Sequence, residues 1–169
     1  MILNRCNLLI PKGKIIGITG ESGSGKSTLI DLIMGFDFPT KGTLEIDNTK
    51  IENINLENYR KKIGYVSQDI VLFNTSILKN ILWTNANATK KDVKKIINKS
   101  KAFNFIKKLP NGLNTLVGDR GLSLSGGQIQ RIALLRALIK NPEIIVLDEC
   151  TSALDENNER YITDFLWKF

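Results

Sequence analysis

The chain has 169 residues, of which 42% are hydrophobic and 24% are charged, a balance that indicates one folded domain and excludes an intrinsically disordered chain. Its apolar runs are only a few residues long, so neither a membrane-spanning helix nor a secretory signal segment is predicted, and we expect a domain that is by itself soluble and cytoplasmic. The net charge of +7 permits an acidic partner but does not require one.

Apolar patterning in the first half of the chain predicts strands that alternate with a helix. A buried strand is predicted at 15–19, and a helix buried on most sides follows over 26–34. Further strands are predicted at 43–46 and 63–66. This strand-loop-helix opening is typical of a parallel sheet with right-handed crossovers.

The middle of the chain is predicted to be helical. Helices are expected over 76–82, 90–99, 102–109 and 126–140, before a buried strand at 144–147 and a last helix from Glu156 onward. Thr89 and Asp92 form a candidate capping box for the second of these helices. We therefore predict an α/β fold with an inserted helical part.

Eight lysines lie between residues 90 and 108 and are accompanied by one acid, Asp92. A solvated helical face is the simplest interpretation of this run. An acidic partner or an anionic membrane surface is the alternative.

The two cysteines, Cys6 and Cys150, are expected to be free thiols, because cytosolic domains rarely keep a disulfide. Cys150 directly follows Asp148 and Glu149, whose charges should raise the pKa of its thiol. We therefore interpret Cys150 as an unreactive small residue, with a reactive thiol as the alternative.

A glycine-rich stretch after the first predicted strand fits the pattern G-x4-G-K-[ST]. Its glycines let the backbone turn its N–H groups toward phosphate oxygens, and the start of the next helix adds a positive dipole end. Lys26 is expected to reach the outer phosphates and Ser27 to ligate Mg²⁺. The predicted nucleotide-binding residues are Gly20, Glu21, Ser22, Gly23, Ser24, Gly25, Lys26, Ser27 and Thr28.

Two acids, Asp148 and Glu149, end the apolar strand at 144–147. The carboxyl ends of strands are where open α/β sheets bind ligands. Asp148 is the expected Mg²⁺ partner, and Glu149 is the expected general base for an attacking water. A solvent-exposed strand end is the alternative interpretation of both.

These motifs, together with Gln68, the stretch 124–128 and the sequence Ser-Ala-Leu-Asp at 152–155, resemble the ATP-binding cassette (ABC) family over nearly the whole chain. The resemblance implies a P-loop NTPase (RecA-like) core with a parallel sheet, formed by residues 1–70 and 141–169. A helical subdomain would occupy about 71–140, and the whole of 1–169 would be a single ATPase domain.

The resemblance also implies that two cassettes pack head to tail around ATP. The signature of one copy, which comprises Leu124, Ser125, Gly126, Gly127 and Gln128, would contact the nucleotide of the other. Gln68 would sense Mg²⁺ and water, and Asp155 would couple the two sites. From the residues alone, Ser125 and Gln128 equally fit a capping box at a helix start, and both roles are expected to coexist.

Further stretches resemble exporter-type cassettes: Gln68-Asp69 with Phe73 downstream, the Leu-Pro-Asn-Gly at 109–112, and the loop at 117–121 with Asp119-Arg120. Phe73 would lie near the transmembrane partner or, alternatively, in the core. The implied function is an ATPase domain of an exporter that uses ATP and Mg²⁺. Its partners would be a transmembrane domain at the inner face of the cell membrane and a second copy of itself.

Two expected pieces of the family pattern are missing: an aromatic residue within 1–14 and a late histidine. The chain therefore looks truncated at both ends, with one or more C-terminal strands missing. We expect an exposed apolar patch at its tail, formed by Phe165, Leu166, Trp167 and Phe169. Without ATP we expect a monomer or a dimer unlike the catalytic one.

Two other functions remain open at this point. One is a truncated fragment that binds nucleotide with little turnover. The other is a soluble cassette ATPase that acts on nucleic acid, which the positive charge permits. Because the chain has no long heptad run of the kind found in chromosome-associated relatives, no nucleic-acid partner is expected.

Overall fold

The computed structural model describes residues 2–118, 121, 123–150 and 153–168. The chain divides into two compact units, Met1–Arg60 and Lys61–Phe169. In chain order the regular elements are α1 (Lys26–Ile33), β1 (Glu45–Ile46), β2 (Thr49–Lys50), α2 (Leu56–Lys61), β3 (Ile63–Val66), α3 (Ile77–Leu82), α4 (Lys90–Lys99), α5 (Phe105–Lys108), α6 (Gly126–Leu138), β4 (Ile144–Leu147) and α7 (Glu156–Leu166).

The buried strand predicted at 15–19 is wrong. These residues are all described and form no strand, and Ile15 is 54% exposed. An apolar run shows only that a segment is suited to burial. A strand also needs a neighbour that accepts its backbone hydrogen bonds, and the described part of the first unit pairs none with it.

The rest of the first unit follows the prediction in part. Helix α1 forms where expected, but none of its eight described residues is fully buried, so the predicted burial on most sides is wrong. The strand predicted at 43–46 is limited to β1, which pairs antiparallel with β2. Asp47 and Asn48 join the two strands with positive φ angles of 49° and 62°, as a tight hairpin turn requires.

The second unit contains the predicted parallel pairing. Strands β3 and β4 have the predicted bounds and lie side by side, with Ile63 opposite Ile144 and Val66 opposite Leu147. Both strands therefore end at the same edge of the sheet. Gly64 lets α6 approach this pair closely, since a Cβ atom there would lie 3.0 Å from the Ala137 carbonyl oxygen.

Most predicted helices of the second unit are confirmed, with shifted ends. The capping box of Thr89 and Asp92 is present at the start of α4. The helix predicted at 102–109 is instead a 3₁₀ turn, Lys101–Phe103, followed by the short α5. Among the described residues, no helix is long and apolar enough to cross a membrane.

The hydrophobic core of the second unit forms around α6. Its largest fully buried side chains include Phe103, Leu72, Ile77, Ile81, Ile132, Leu134, Leu135, Leu138 and Ile162. Helix α4 buries Val93 and Ile97 in this core. All eight lysines between residues 90 and 108 are exposed, in agreement with the solvated-face interpretation.

The predicted apolar patch at the tail is only partly present. Phe165 is buried in the core, where its ring meets that of Phe103 edge to face at a centroid distance of 5.8 Å. Trp167 is 68% exposed, and Phe169 lies outside the described residues. The helical period explains the difference, because α7 turns Phe165 toward the core and Trp167 away from it.

Both cysteines are free thiols, as predicted. Cys150 is buried, and burial is the main cause that raises the pKa of its thiol, followed by the charges of Glu159 and Asp148. The prediction from adjacent acids had the right direction. It placed the cause in the neighbouring charges, whereas the larger one is the loss of water around the sulfur.

Candidate nucleotide-binding and catalytic site

The predicted phosphate-binding residues form an exposed loop in the first unit that leads into α1. Gly23 and Gly25 have φ angles of 79° and 94°, a conformation that glycine adopts without strain. A Cβ atom at Gly20 would lie 2.7 Å from the Ser24 hydroxyl oxygen. The Lys26 ammonium folds back over the loop and donates to the carbonyl oxygens of Gly20 and Glu21, each at 2.8 Å.

The start of α1 is suited to an anion. Gly25 is its N-cap residue and provides no side-chain acceptor, and no acid lies in the first turn. The first-turn N–H groups, which include those of Ser27 and Thr28, thus have no capping side chain within the described structure. Phosphate oxygens can take that place, where the positive end of the helix dipole favours negative charge.

The predicted catalytic residues of the second unit lie at one edge of the parallel sheet. Gln68 follows β3, and Asp148 and Glu149 follow β4. The Asp148 N–H donates to the Val66 carbonyl oxygen at 2.9 Å, which extends the strand pairing into the loops. Gln68 Nε2 donates to the Glu149 carboxylate at 3.0 Å. The fold thus brings together three predicted site residues.

Glu149 has a left-handed backbone conformation, with a φ angle of 48°. For a residue with a Cβ atom, this conformation costs about 1–2 kcal/mol. Such strain persists where surrounding contacts over-determine it, and it is frequent at functional sites. The turn directs the Glu149 side chain toward solvent beside Gln68.

The donor atoms at this edge fit Mg²⁺. The amide oxygen of Gln68 and the carboxylate of Asp148 are hard oxygen ligands, which magnesium prefers. Asp148 is only partly exposed and lies directly beside the exposed Glu149. Ser27, the third predicted ligand, belongs to the first unit.

The signature residues begin α6 and form the predicted capping box. Ser125 is the N-cap residue, its backbone N–H donates to Gln128 Oε1 at 3.1 Å, and its hydroxyl accepts from the Gln128 N–H at 3.4 Å. Gly127 is buried, and a Cβ atom there would lie 2.8 Å from the Ala153 carbonyl oxygen. A glycine is therefore required here for packing within the chain itself.

Asp155, the predicted coupling residue, is the N-cap residue of α7 and accepts from the backbone N–H of Asn158 at 3.0 Å. Its bonds with Asn158, from the side chain first and then the backbone, lower the pKa of its carboxyl, and Arg131 adds a smaller effect in the same direction. The predicted sequence at 152–155 is described only from Ala153, since Ser152 lies outside the described residues. The same holds for Asp119 and Arg120.

Sequence analysis missed two side chains of α6, Gln130 and Arg131, which are both only 8% exposed. Arg131 donates to the carbonyl oxygens of Gly127 and Ala102 and to Asn158 Oδ1, at 2.9–3.0 Å. It thereby links the signature to the helix that Asp155 caps. The available signal was two polar residues on a helix whose neighbouring positions are apolar.

Phe73 is not a core residue. It is 37% exposed, and its ring lies against the exposed Trp83 at a centroid distance of 4.3 Å. Below this pair, the fully buried Asn80 accepts from the Phe73 N–H and donates to the Phe73 carbonyl oxygen, both at 2.9 Å. The two rings form an exposed aromatic surface on a rigidly bonded turn.

The sequence pattern of the ABC transporter family matches residues 3–152. This chain belongs to the ABC transporter family. Its fold is that of the family's ATPase domain, a P-loop NTPase fold of the α/β class, and such a domain binds ATP. The family resemblance inferred from the motifs is thus confirmed.

Relatives of this ABC domain include an ABC exporter and a lipid A-core flippase. The structure of a bacterial Atm1-family ABC exporter with ATP bound superposes with a TM-score of 0.80 at 40% identity, over 86% of this chain and 26% of that one. The ATP-dependent lipid A-core flippase of Chromohalobacter salexigens is 45% identical over 165 residues, which are 98% of this chain and 28% of that protein.

Two more relatives extend the range of organisms. The heterocyst differentiation ATP-binding protein HepA of a Nostoc species is 43% identical over 99% of this chain and 28% of its own length. ABC transporter B family member 1 of Arabidopsis thaliana is 46% identical over 99% of this chain and 13% of its own length. The chain spans less than a third of each of these proteins.

Proposed function

We propose that this ABC domain hydrolyses ATP and thereby powers an exporter. The observation that carries the proposal is the bond between Gln68 and Glu149 at the shared end of β3 and β4, with Asp148 alongside. A carboxylate beside an amide, at the strand ends of a nucleotide-binding fold, is the arrangement needed to orient and deprotonate an attacking water.

In this proposal the loop from Gly20 to Thr28 holds the phosphates through its backbone N–H groups. The Lys26 ammonium, which now donates to two loop carbonyls, exchanges these bonds for phosphate oxygens. Such an exchange replaces the two hydrogen bonds to loop carbonyls with hydrogen bonds to phosphate, so the ammonium stays hydrogen-bonded in both states.

Glu149 is proposed to accept the proton of the attacking water, and Gln68 to orient both the carboxylate and the water. Ser27, Gln68 and Asp148 would hold Mg²⁺. When bound, the ion neutralises charge on the outer phosphates. The hydrogen bond of Gln68 fixes the Glu149 carboxylate before substrate arrives, which lowers the cost of orienting it in the reaction.

The signature, from Leu124 to Gln128, is proposed to bind the ATP of a second copy. Ser125 is exposed at the start of the 13-residue helix α6, where the helix dipole favours an anion. Asp155 would couple the two sites. It is bonded to Asn158, which accepts from Arg131, and Arg131 in turn donates to the Gly127 carbonyl oxygen. The partition into a core of 1–70 and 141–169 and a helical subdomain of about 71–140 is part of the same proposal.

The remaining partner is proposed to be a transmembrane exporter domain, which would hold this domain at the inner face of the membrane. Two features support it: the similarity to exporters and the exposed aromatic pair of Phe73 and Trp83. Exposed aromatic rings on a rigid turn are suited to a protein interface.

The Glu149→Gln variant tests the hydrolytic proposal. It keeps the shape of the side chain but removes the base, so we expect kcat to fall by at least about 100-fold while ATP binding is retained. With ATP bound and no turnover, the variant should elute as a dimer in size-exclusion chromatography with light scattering.

Glu143→Gln is the matched control. Glu143 lies at the opposite end of β4 from Asp148 and Glu149 and forms an exposed ion pair with Lys62 at 2.9 Å, so its loss should leave kcat unchanged. Equal turnover of wild type and Glu149→Gln would overturn the role of Glu149. Tight ATP binding without turnover in the wild type would favour the binding-only function.

A further inference from the structure

The buried amide of Gln130 lies next to the loop that follows β4. Its Nε2 donates to the Glu149 carbonyl oxygen at 3.4 Å, and its Oε1 accepts from the Ala153 N–H at 3.2 Å. One side chain thus contacts the backbone on both sides of the segment between Glu149 and Ala153. Gln130 as a whole is 8% exposed, so water competes little for either bond.

The Gln130 contact involves Glu149, whose backbone conformation is strained. Glu149 holds a left-handed conformation that a side chain with a Cβ atom does not favour. A donor at its carbonyl oxygen anchors the carbonyl group, whose position the φ and ψ angles of Glu149 set together. If Glu149 relaxed to a right-handed conformation, this carbonyl group would move and Gln130 Nε2 would lose this acceptor in a buried environment.

We propose that Gln130 is a positioning residue for Glu149, which acts by holding the backbone of the base in its strained turn. The proposal rests on the proposed role of Glu149 as the general base. Gln130 bonds the carbonyl oxygen of Glu149, whereas Gln68 bonds its carboxylate. The two glutamines thus fix different parts of Glu149: Gln68 its carboxylate and Gln130 its peptide group.

The position of Gln130 in the sequence gives this contact a further consequence. It lies two residues after Gln128, on the same rigid helix that presents the signature. A shift of α6 toward or away from a bound nucleotide would therefore move the Glu149 backbone with it. The buried Gln130 amide thus connects the helix of the signature to the proposed base within one chain.

Gln130→Met tests the proposal, because methionine has a similar length and no hydrogen-bonding amide. On the full chain we expect kcat to fall by roughly 10- to 100-fold, as for other residues that orient a reacting group indirectly. KM for ATP should change by less than about threefold, since the phosphate loop is untouched. Gln130→Glu, which keeps the acceptor for Ala153 but loses the donor to Glu149, should lower kcat to a similar extent.

Two further variants separate positioning from loss of stability. Leu138→Ala removes a buried side chain in the last turn of α6, so it should lower the thermal midpoint without lowering kcat at temperatures where it is folded. In the Glu149→Gln background, Gln130→Met should reduce the remaining kcat by less than about twofold, because the two residues act as one unit.

The inference is overturned if Gln130→Met keeps kcat within about twofold of wild type while Glu149→Gln abolishes turnover. It is also overturned if the kinetic losses of the two variants multiply in full. These results would leave the hydrolytic proposal standing. A wild-type kcat that Glu149→Gln does not change would instead overturn the role of the base and, with it, the role of Gln130.

Discussion

At the scale of single residues, burial separates the two thiols of this chain. Cys6 is exposed, whereas Cys150 is buried with a thiol whose pKa is raised. Because the thiolate is the reactive form, we expect iodoacetamide at pH 8 to modify Cys150 at least about tenfold more slowly than Cys6. Peptide mass spectrometry over a time course measures both rates in one sample.

The internal control for this experiment is denaturant. In strong urea both thiols are exposed, and the two rates should converge. Equal rates in the native protein would contradict the burial of Cys150 and the inert interpretation of this residue.

The proposed phosphate loop and paired acids could be picked out from the sequence because their motifs depend on local order along the chain. The conformation of Glu149 could not be predicted, because a positive φ angle in a residue with a Cβ atom runs against local preference. It coincides with a contact from another element, since Gln130 on α6 donates to the Glu149 carbonyl oxygen.

At the scale of elements, the stabilisation that the capping box gives to α4 should depend on pH. The hydroxyl and backbone N–H of Thr89 donate to Asp92, and these bonds, with smaller help from Lys95, lower the pKa of Asp92 to about 2 from its ordinary value of 3.8. The stabilisation is therefore fully present above about pH 4 and is lost as the pH falls toward 2. Thr89→Ala should return the pKa of Asp92 toward its ordinary value.

Carbon-detected NMR titration of the Asp92 carboxyl group measures this shift. Thr163→Ala, at an exposed position of α7, is the control and should leave the Asp92 titration unchanged. An unchanged pKa in Thr89→Ala would mean that the backbone N–H of residue 89 and Lys95, rather than the Thr89 hydroxyl, hold the carboxylate.

The elements also show which predictions from pattern hold. The capping boxes at 89–92 and 125–128 and the strands β3 and β4 were predicted because caps and short apolar runs are local signals. The run at 15–19 carries the same apolar signal but remains exposed without a strand. Whether such a run pairs as a strand depends on tertiary structure, which the run itself does not specify.

At the scale of the whole molecule, one buried polar group holds several parts of the second unit together. Asn80 on α3 accepts from Arg136 Nη2 at 2.9 Å, and it bonds both backbone groups of Phe73. Asn80→Ala removes the acceptor of the Phe73 N–H and of Arg136 Nη2 and one donor to the Phe73 carbonyl oxygen, so the free energy of unfolding should fall by about 2–4 kcal/mol. Urea denaturation followed by circular dichroism measures the change.

Asn87→Ala is the matched control, because Asn87 is exposed and the loss of its side chain should change the free energy of unfolding by less than about 0.5 kcal/mol. Similar values for the two variants would show that the buried network adds no net stability. In that case the Asn80 bonds would serve only to shape the turn at Phe73.

The family, the glycine-rich motif, the order of the motifs and the helix caps could be predicted from the sequence, because each depends on residues that are near neighbours along the chain. The structure was needed to show that Gln68 meets Glu149, which lies 81 residues away, and that the Gln130 amide contacts the Glu149 carbonyl oxygen. These contacts depend on how β3, β4 and α6 pack, and packing is set by all buried side chains together. Distant residues meet only where that shared core brings them, which no local pattern encodes.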